Sequence, residues 1–167
     1  MFDELLRANA DYAGHFALAG VPPIAARGFS LVTCMDSRIE PLTMLGLVPG
    51  DAKILRNAGG RVTDDVLRSL VLATSLLGVR EIAVMQHTKC ALADRTDGAV
   101  HADLAAQGIH GADDWAFLAM PDPDRSLHDD VAAVRACTLL PAGVRVEGWR
   151  YDVETGLVHR IVPSGPA

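Results

Sequence analysis

The stretch of sequence that decides the fold is Phe29-Ser30-Leu31-Val32-Thr33-Cys34-Met35-Asp36-Ser37-Arg38. Its apolar first half predicts a short buried strand over residues 29–34, with Cys34 at the carboxyl end. Its polar second half places Asp36 and Arg38 two and four residues beyond that cysteine. Because residues two apart along an extended segment project to the same side, Cys34, Asp36 and Arg38 are expected to face one site.

A second predicted strand end carries another potential metal ligand. Residues 81–86 predict a strand that runs into His87, and Cys90 follows three residues later. Two thiolates and one imidazole are ligands of the kind that zinc takes in tetrahedral sites. Three protein ligands leave the fourth position open, which is the arrangement of a catalytic zinc.

Each of these residues also has a purely structural interpretation. Cys34 at a strand end could be a buried apolar residue, and Asp36 with Arg38 could be a surface ion pair that contributes little. Cys137 would close the zinc site as a fourth ligand and make it structural. Its place beside the apolar stripe of a predicted helix favours a packing role instead.

Predicted strands and helices alternate along the chain. The strands cover residues 29–34, 52–56, 81–86, 144–153 and 157–162, and the helices cover residues 2–16, residues 41–47, a segment between Thr63 and Gly78, and a segment opened by Asp124 or Ser126. The last two strands flank a hairpin turn, and residues 91–124 show no clear period. This order predicts an α/β fold with a mainly parallel central β-sheet, flanking helices and an antiparallel edge strand. Since open α/β sheets bind ligands at the carboxyl ends of their strands, Cys34 and His87 are expected to meet there.

Bulk properties narrow the class of protein. The length of 167 residues predicts a single domain over residues 1–167. The net charge of -6 and the lack of basic runs argue against nucleic acid or a membrane surface as a partner. The charged start lacks the apolar core of a signal peptide and no apolar run matches a membrane span, so we expect a cytoplasmic protein. Three cysteines are a poor disulfide framework, which favours metal binding for two of them.

Three motifs together resemble those of the β-class carbonic anhydrases, in their order and at about their usual separations. They are Cys34-Met35-Asp36-Ser37-Arg38, Arg56-Asn57-Ala58-Gly59 and His87-Thr88-Lys89-Cys90. The resemblance covers roughly residues 2–162 and looks closest to the short actinobacterial members of the family.

The resemblance implies a function and a division of roles. One zinc ion per chain would be bound by Cys34, His87 and Cys90, with water or Asp36 in the fourth position. Zinc-bound hydroxide would attack carbon dioxide to give bicarbonate and a proton, with Asp36 orienting the nucleophile and Arg38 holding Asp36. Members of the family are homodimers or dimers of dimers, so residues 1–20 are expected to form a helical arm that packs on a partner subunit.

Two departures from the family pattern, Ala91 and Gln86, and two alternatives accompany this interpretation. The family usually has glycine or histidine at the position of Gln86. The family usually has glycine directly after the second cysteine ligand, where this chain has Ala91, and a Cβ there could crowd the site or shift the following helix. The first alternative is hydrolysis of a sulfur analogue, carbonyl sulfide or carbon disulfide, on the same fold. The second is a non-catalytic interaction module that zinc stabilises.

Overall fold

The computed structural model describes residues 1–165, and its strands form one five-stranded sheet. The strands are β1 (Phe29–Cys34), β2 (Ala52–Asn57), β3 (Glu81–His87), β4 (Arg145–Tyr151) and β5 (Val158–Val162). Their order across the sheet is β2-β1-β3-β4-β5. The pairs β1–β2, β1–β3 and β3–β4 are parallel, and β5 runs antiparallel to β4 at the edge. The predicted α/β fold with its antiparallel edge strand is confirmed. The predicted domain, residues 1–167, extends two residues beyond the described ones.

Five α-helices accompany the sheet. They are α1 (Phe2–Ala13), α2 (Pro41–Met44), α3 (Asp64–Leu76), α4 (Asp97–Ala106) and α5 (Pro123–Ala136). Thr63 caps α3 as predicted, because its side chain accepts a hydrogen bond from the Val66 N–H at 3.3 Å. Both α1 and α2 are shorter than predicted; α2 stops before Gly46, whose φ of 64° is left-handed.

The start of α5 was predicted too late in the chain. The structure begins α5 at Pro123, and the Asp122 carboxylate accepts the Arg125 N–H at 3.0 Å. Proline at the first helical position has a φ already suited to the helix and lacks the N–H that would be unsatisfied there. Asp122 rather than Asp124 or Ser126 is therefore the capping residue.

The stretch without a clear period, residues 91–124, holds α4 and long connections. Helix α4 has no buried residue, so no apolar stripe marks it in the sequence. Thr96 caps it by accepting the Ala99 N–H at 3.2 Å. An isolated β-bridge pairs Ala93 with Met120, so the two ends of this stretch lie side by side.

The two faces of the sheet are covered differently. One face packs against α3 and α5 through fully buried residues such as Val32, Leu70 and Leu127. The other face has a smaller cluster around Leu31 and Met85, which packs against α2 and against loops. Helix α1 buries none of its residues. No helix within residues 1–165 is long and apolar enough to cross a membrane.

The chain changes direction in the sheet between β1 and β3, and this places the predicted ligands together. From β1 it passes to β2 on one side and then crosses to β3 on the other. Ligands of open α/β sheets bind in the crevice at such a switch point. Thr33 lies opposite Met85 in the register, so Cys34 and His87 end neighbouring strands at one edge.

A tight turn, Ala58–Gly60, packs directly on the end of β1. Gly60 has a φ of 66°, and a Cβ on it would lie 2.9 Å from the Cys34 backbone nitrogen and 3.0 Å from the Met85 carbonyl oxygen. Both contacts are with backbone, which cannot rotate away. Glycine is therefore required at this position for conformation and for space.

We expect Gly60→Ala to lower the free energy of unfolding by about 3 kcal/mol or more, because left-handed strain and overpacking add. Gly156→Ala is the matched control: its φ of 74° is similar, but a Cβ there meets nothing within 4 Å. The control should lose only about 1 kcal/mol. Urea denaturation of both variants measures the difference, and equal losses would contradict the close approach of the turn to β1.

Candidate metal centre

The three predicted metal ligands meet in one buried cluster. The ligand atoms of Cys34, His87 and Cys90 all lie within 4.8 Å of one another. Cys34 comes from the end of β1, His87 from the end of β3, and Cys90 from the turn that follows β3. No other His, Cys, Asp or Glu side chain of residues 1–165 joins this group.

The His87 ring is oriented as a metal ligand would be. Its Nδ1 lies 2.9 Å from the Thr88 carbonyl oxygen, which assigns the proton to Nδ1 in the neutral ring and leaves a lone pair on Nε2. Nε2 is buried and has no hydrogen-bond partner within residues 1–165. A buried nitrogen in this state needs a ligand, and a metal ion facing the two sulfurs would satisfy it.

The two sulfurs are close enough to control each other's protonation. A hydrogen bond from the Cys90 thiol, assisted by the backbone N–H groups of Asp36 and Gly59, lowers the pKa of Cys34 to about 4. The same contact raises the pKa of Cys90. Burial alone would lower the pKa of His87, but interaction with the Cys34 sulfur outweighs it and raises the pKa. The contact thus favours the thiolate form of Cys34, and a bound metal would displace the proton of Cys90.

Asp36 and Arg38 form a bidentate pair beside the cluster. Arg38 Nε donates to Asp36 Oδ1 at 2.9 Å, and Nη2 donates to Oδ2 at 2.7 Å. These bonds hold the pKa of Asp36 well below its usual range. Asp36 Oδ2 also lies 3.8 Å from His87 Nε2. The ionised carboxylate therefore lies beside the unpaired nitrogen of the cluster, where it would accept a hydrogen bond from a water held there.

Arg56 holds the segment from Cys34 to Asp36 through its backbone carbonyl groups. The sequence analysis did not assign this role to Arg56. Its Nε donates to the Cys34 carbonyl at 3.0 Å and its Nη2 to the Asp36 carbonyl at 2.7 Å. Its place in the Arg56-Asn57-Ala58-Gly59 motif was the available signal. The guanidinium fixes the turn between the ligand Cys34 and the carboxylate Asp36.

The donor set fits a tetrahedral ion with a preference for sulfur and nitrogen. Ligand atoms around such an ion lie roughly 3.5–3.8 Å apart, which the cluster can reach with small side-chain adjustments. Cys137 instead follows the last residue of α5 and is not part of the cluster. The cluster therefore offers three side chains that could bind such an ion.

A cleft of about 430 Å³ opens over the cluster. Asp36 and Arg38 form its polar wall, and Ala58, Ala91 and Leu92 contribute apolar surface. This combination suits a small apolar molecule that must meet one polar group.

Comparison with known proteins identifies the family. The carbonic anhydrase family model matches residues 29–115. Beta-carbonic anhydrase 1 of Mycobacterium tuberculosis is 32% identical over 162 residues, which are 96% of this chain and 98% of that protein. The chain belongs to the β-carbonic anhydrase family.

Two further relatives show the breadth of this likeness. The crystal structure of carbonic anhydrase from Streptococcus mutans has a TM-score of 0.89 and 40% identity, covering 96% of each chain. Carbon disulfide hydrolase of Acidianus sp. (strain A1-3) is 33% identical over 182 residues, which are 95% of this chain and 86% of that protein. Proteins similar to this chain thus carry the names of two different activities.

Ala91, in place of the glycine usual for β-carbonic anhydrases, fits the backbone without strain. The non-glycine residues of positive φ within residues 1–165 are Lys89, Asp94 and Leu118. Ala91 needs no left-handed conformation, and its methyl group stands at the wall of the cleft. The following helix, α4, begins only at Asp97, well beyond the site.

Lys89 and the hairpin after β4 support the ligand loop. The Lys89 φ of 54° is left-handed, and its carbonyl accepts Arg38 Nη2 at 3.1 Å. Its ammonium pairs with Glu154 at 2.6 Å. The Thr88 hydroxyl accepts the Val153 N–H at 3.1 Å. The turn between β4 and β5 therefore holds the segment between His87 and Cys90 through these two contacts.

We expect Cys34→Ser, His87→Ala and Cys90→Ser each to reduce bound metal to well below one ion per chain, because only two of the three ligands would remain. Elemental analysis of the purified variants measures this. Cys137→Ser is the matched control and should keep its metal. Full metal content in all three ligand variants would reject the assignment, as would metal loss in the control.

Proposed function

We propose that this protein catalyses the reversible hydration of carbon dioxide to bicarbonate and a proton, using one zinc ion held by Cys34, His87 and Cys90. The observation that carries the proposal is the Asp36 carboxylate, fixed by two hydrogen bonds from Arg38 and lying 3.8 Å from His87 Nε2. A cluster whose open side meets an oriented acceptor is built to position a reacting water molecule.

The residues of the cleft divide the work of the reaction. Zinc in this cluster would lower the pKa of a water molecule to about 7 and so supply a nucleophile at neutral pH. Asp36 remains ionised and can only accept hydrogen bonds. It therefore orients the O–H group of the nucleophile, so that the lone pair of the nucleophile stays directed at the substrate. Arg38 prevents Asp36 from turning away. Ala58, Ala91 and Leu92 offer the apolar surface against which carbon dioxide can lie.

Hydrolysis of carbon disulfide is the second candidate, and the Acidianus relative favours it. Both substrates are linear, apolar and attacked at carbon, so the same cluster and dyad would serve either. Structural similarity separates the two. The carbonic anhydrase from Streptococcus mutans has a TM-score of 0.89 and 40% identity to this chain, whereas a carbon disulfide hydrolase structure has a TM-score of 0.69 and 31% identity. We therefore favour carbon dioxide as the substrate.

A zinc-stabilised module without catalysis fits the site less well. A structural zinc site is closed by four protein ligands, whereas the group formed within residues 1–165 has three. The side chain of Asp36, the nearest further donor, is engaged by Arg38. An open metal position beside an ionised carboxylate serves chemistry better than stability.

We expect the zinc-loaded protein to hydrate carbon dioxide in a stopped-flow assay with a pH indicator, and to release little sulfide from carbon disulfide. Rapid sulfide release with negligible hydration would favour the second candidate. Neither activity in a protein that holds a full complement of zinc would favour the non-catalytic module.

The same assay on variants of the dyad tests its role. Asp36→Ala and Arg38→Ala should keep the zinc but lose about tenfold to a hundredfold or more in hydration rate, because the nucleophile loses its orientation. Since the two residues act as a unit, the double variant should be little slower than the slower single variant. Losses that multiply in the double variant would contradict a shared role.

We further propose that the protein is a homodimer or a dimer of dimers in which residues 1–20 lie on a partner subunit. Phe2, Leu5 and Leu6 are 78%, 60% and 68% exposed. An isolated helix as short as α1 is marginal in water, so its apolar side chains need another surface. The thinly covered face of the sheet offers one, where Phe29 stacks on Trp149 beside a cavity of about 360 Å³.

We expect removal of residues 1–16 to weaken the dimer by at least about tenfold in dissociation constant, because the arm contributes buried apolar area. Sedimentation velocity over a range of concentrations measures both proteins. A full-length monomer at micromolar concentration would reject the dimer. An unchanged dimer after truncation would reject only the role of the arm, and Leu139→Ser, which alters a side chain 71% exposed outside the arm, is the control.

A further inference from the structure

Asp130 of α5 is a buried carboxylate that the proposed reaction does not use. It is 4% exposed, and a charge so buried is tolerated only with several hydrogen-bond donors. Arg61 supplies two of them, Nε to Oδ2 at 2.7 Å and Nη2 to Oδ1 at 3.3 Å. The Val62 N–H donates to Oδ1 at 3.3 Å, and Gln86 Nε2 donates to Oδ2 at 3.2 Å.

These donors come from the two segments that carry the metal centre. Gln86 directly precedes His87 on β3, and it is itself 1% exposed. Arg61 and Val62 follow the turn after β2. One carboxylate on a helix thus ties the strand of the histidine ligand to the loop that lies over the Cys34 end of β1.

That loop, residues 57–61, is closed on itself by the Asn57 side chain. Asn57 Nδ2 donates to the Arg61 carbonyl at 2.8 Å, and Asn57 Oδ1 accepts the Arg61 N–H at 2.9 Å. Arg61 Nη1 donates in addition to the Leu118 carbonyl, which anchors the connection after α4. These bonds link the loop directly to the residue that carries the guanidinium.

The same loop contacts the metal-binding sulfur. The Gly60 Cα approaches the Cys34 backbone nitrogen too closely to admit a Cβ, and the neighbouring Gly59 N–H helps to lower the pKa of the Cys34 thiol. Hydrogen bonds to a ligating group orient it and tune its bond to the metal. A shift of the loop would remove this donor from Cys34 and leave the side chain free to turn.

We propose that Asp130 and Arg61 are positioning residues, which hold the loop of residues 57–61 against Cys34 and thereby slow the release of the bound metal. The inference rests on the proposed zinc site, and it adds a control of metal retention that lies outside the ligands and the Asp36–Arg38 dyad. Its physical basis is a rigid path from α5 through the guanidinium to Gly59.

The test measures zinc release to a chromogenic chelator from the zinc-loaded full chain. Asp130→Asn should release zinc at least about tenfold faster than the unaltered protein, as expected for loss of a group that supports a ligand. Cobalt-substituted protein should show a changed thiolate-to-metal absorption band, because the hydrogen bond to the Cys34 sulfur is weakened. Asp65→Asn, which breaks an exposed pair with Arg68 on α3, should change neither quantity.

A double variant separates positioning from stability. Replacement of both partners of a buried ion pair by apolar residues costs less stability than removal of one partner, so Arg61→Met with Asp130→Leu should have a higher thermal midpoint than either single change. Its zinc release should remain fast, because the bonds to Val62 and Gln86 are lost. If Asp130→Asn does not fold, the zinc release of the double variant tests the inference in its place.

Two outcomes in the variants would overturn the inference. One is zinc release that returns to normal in the double variant, and the other is an unaltered release rate in Asp130→Asn. The proposed function fails separately: an unaltered protein that retains zinc but does not hydrate carbon dioxide would reject the reaction and leave this role of Asp130 intact. Failure of the unaltered protein to retain zinc would reject both.

Discussion

Parallel hydrogen bonding between β1 and β3 is the constraint on which the candidate metal centre depends. The register sets Thr33 opposite Met85, so the next residues of both strands emerge at the same edge of the sheet. Cys34 and His87, far apart in sequence, become neighbours there. The crossover that separates β2 from β3 leaves a crevice above the two strand ends. Three features line that crevice: the segment between His87 and Cys90, the pair of Asp36 and Arg38, and the turn Ala58–Gly60.

The uneven covering of the sheet connects the metal centre with assembly. Cys34 and Cys90 pack in the same apolar cluster as Leu31 and Met85, on the face that α3 and α5 do not cover. Any subunit that lies on this face would exclude water from the cluster around the two sulfurs. Exclusion of water strengthens electrostatic interactions between the ligands and a bound ion. The proposed dimer would therefore support the site as well as cover the exposed side chains of α1.

The sequence predicted those features that depend on local pattern. The strand before Cys34, the cap at Thr63 and the meeting of Cys34 with His87 follow from apolar runs and from the rules of parallel sheets. Helix α4 was not predicted because none of its residues is buried, so the sequence shows no apolar stripe there. The hydrogen-bond partners of Asp130 were not predicted because Arg61 lies 69 residues away in sequence. A carboxylate three residues after Leu127, on the buried side of a predicted helix, was the one available sign, and it named no partner.

Charge at the site is nearly balanced, and this bears on how a reversible reaction can work there. A divalent ion between two thiolates and a neutral imidazole has no net charge, and Asp36 with Arg38 forms a neutral pair. Glu154 offsets Lys89 at 2.6 Å. Arg56 is the remaining cation, and it is turned to the carbonyl groups of Cys34 and Asp36. With so little excess positive charge, the site would attract the bicarbonate of the proposed reaction only weakly. An anionic product would then not be trapped beside the cluster, as turnover in the proposed hydration direction requires.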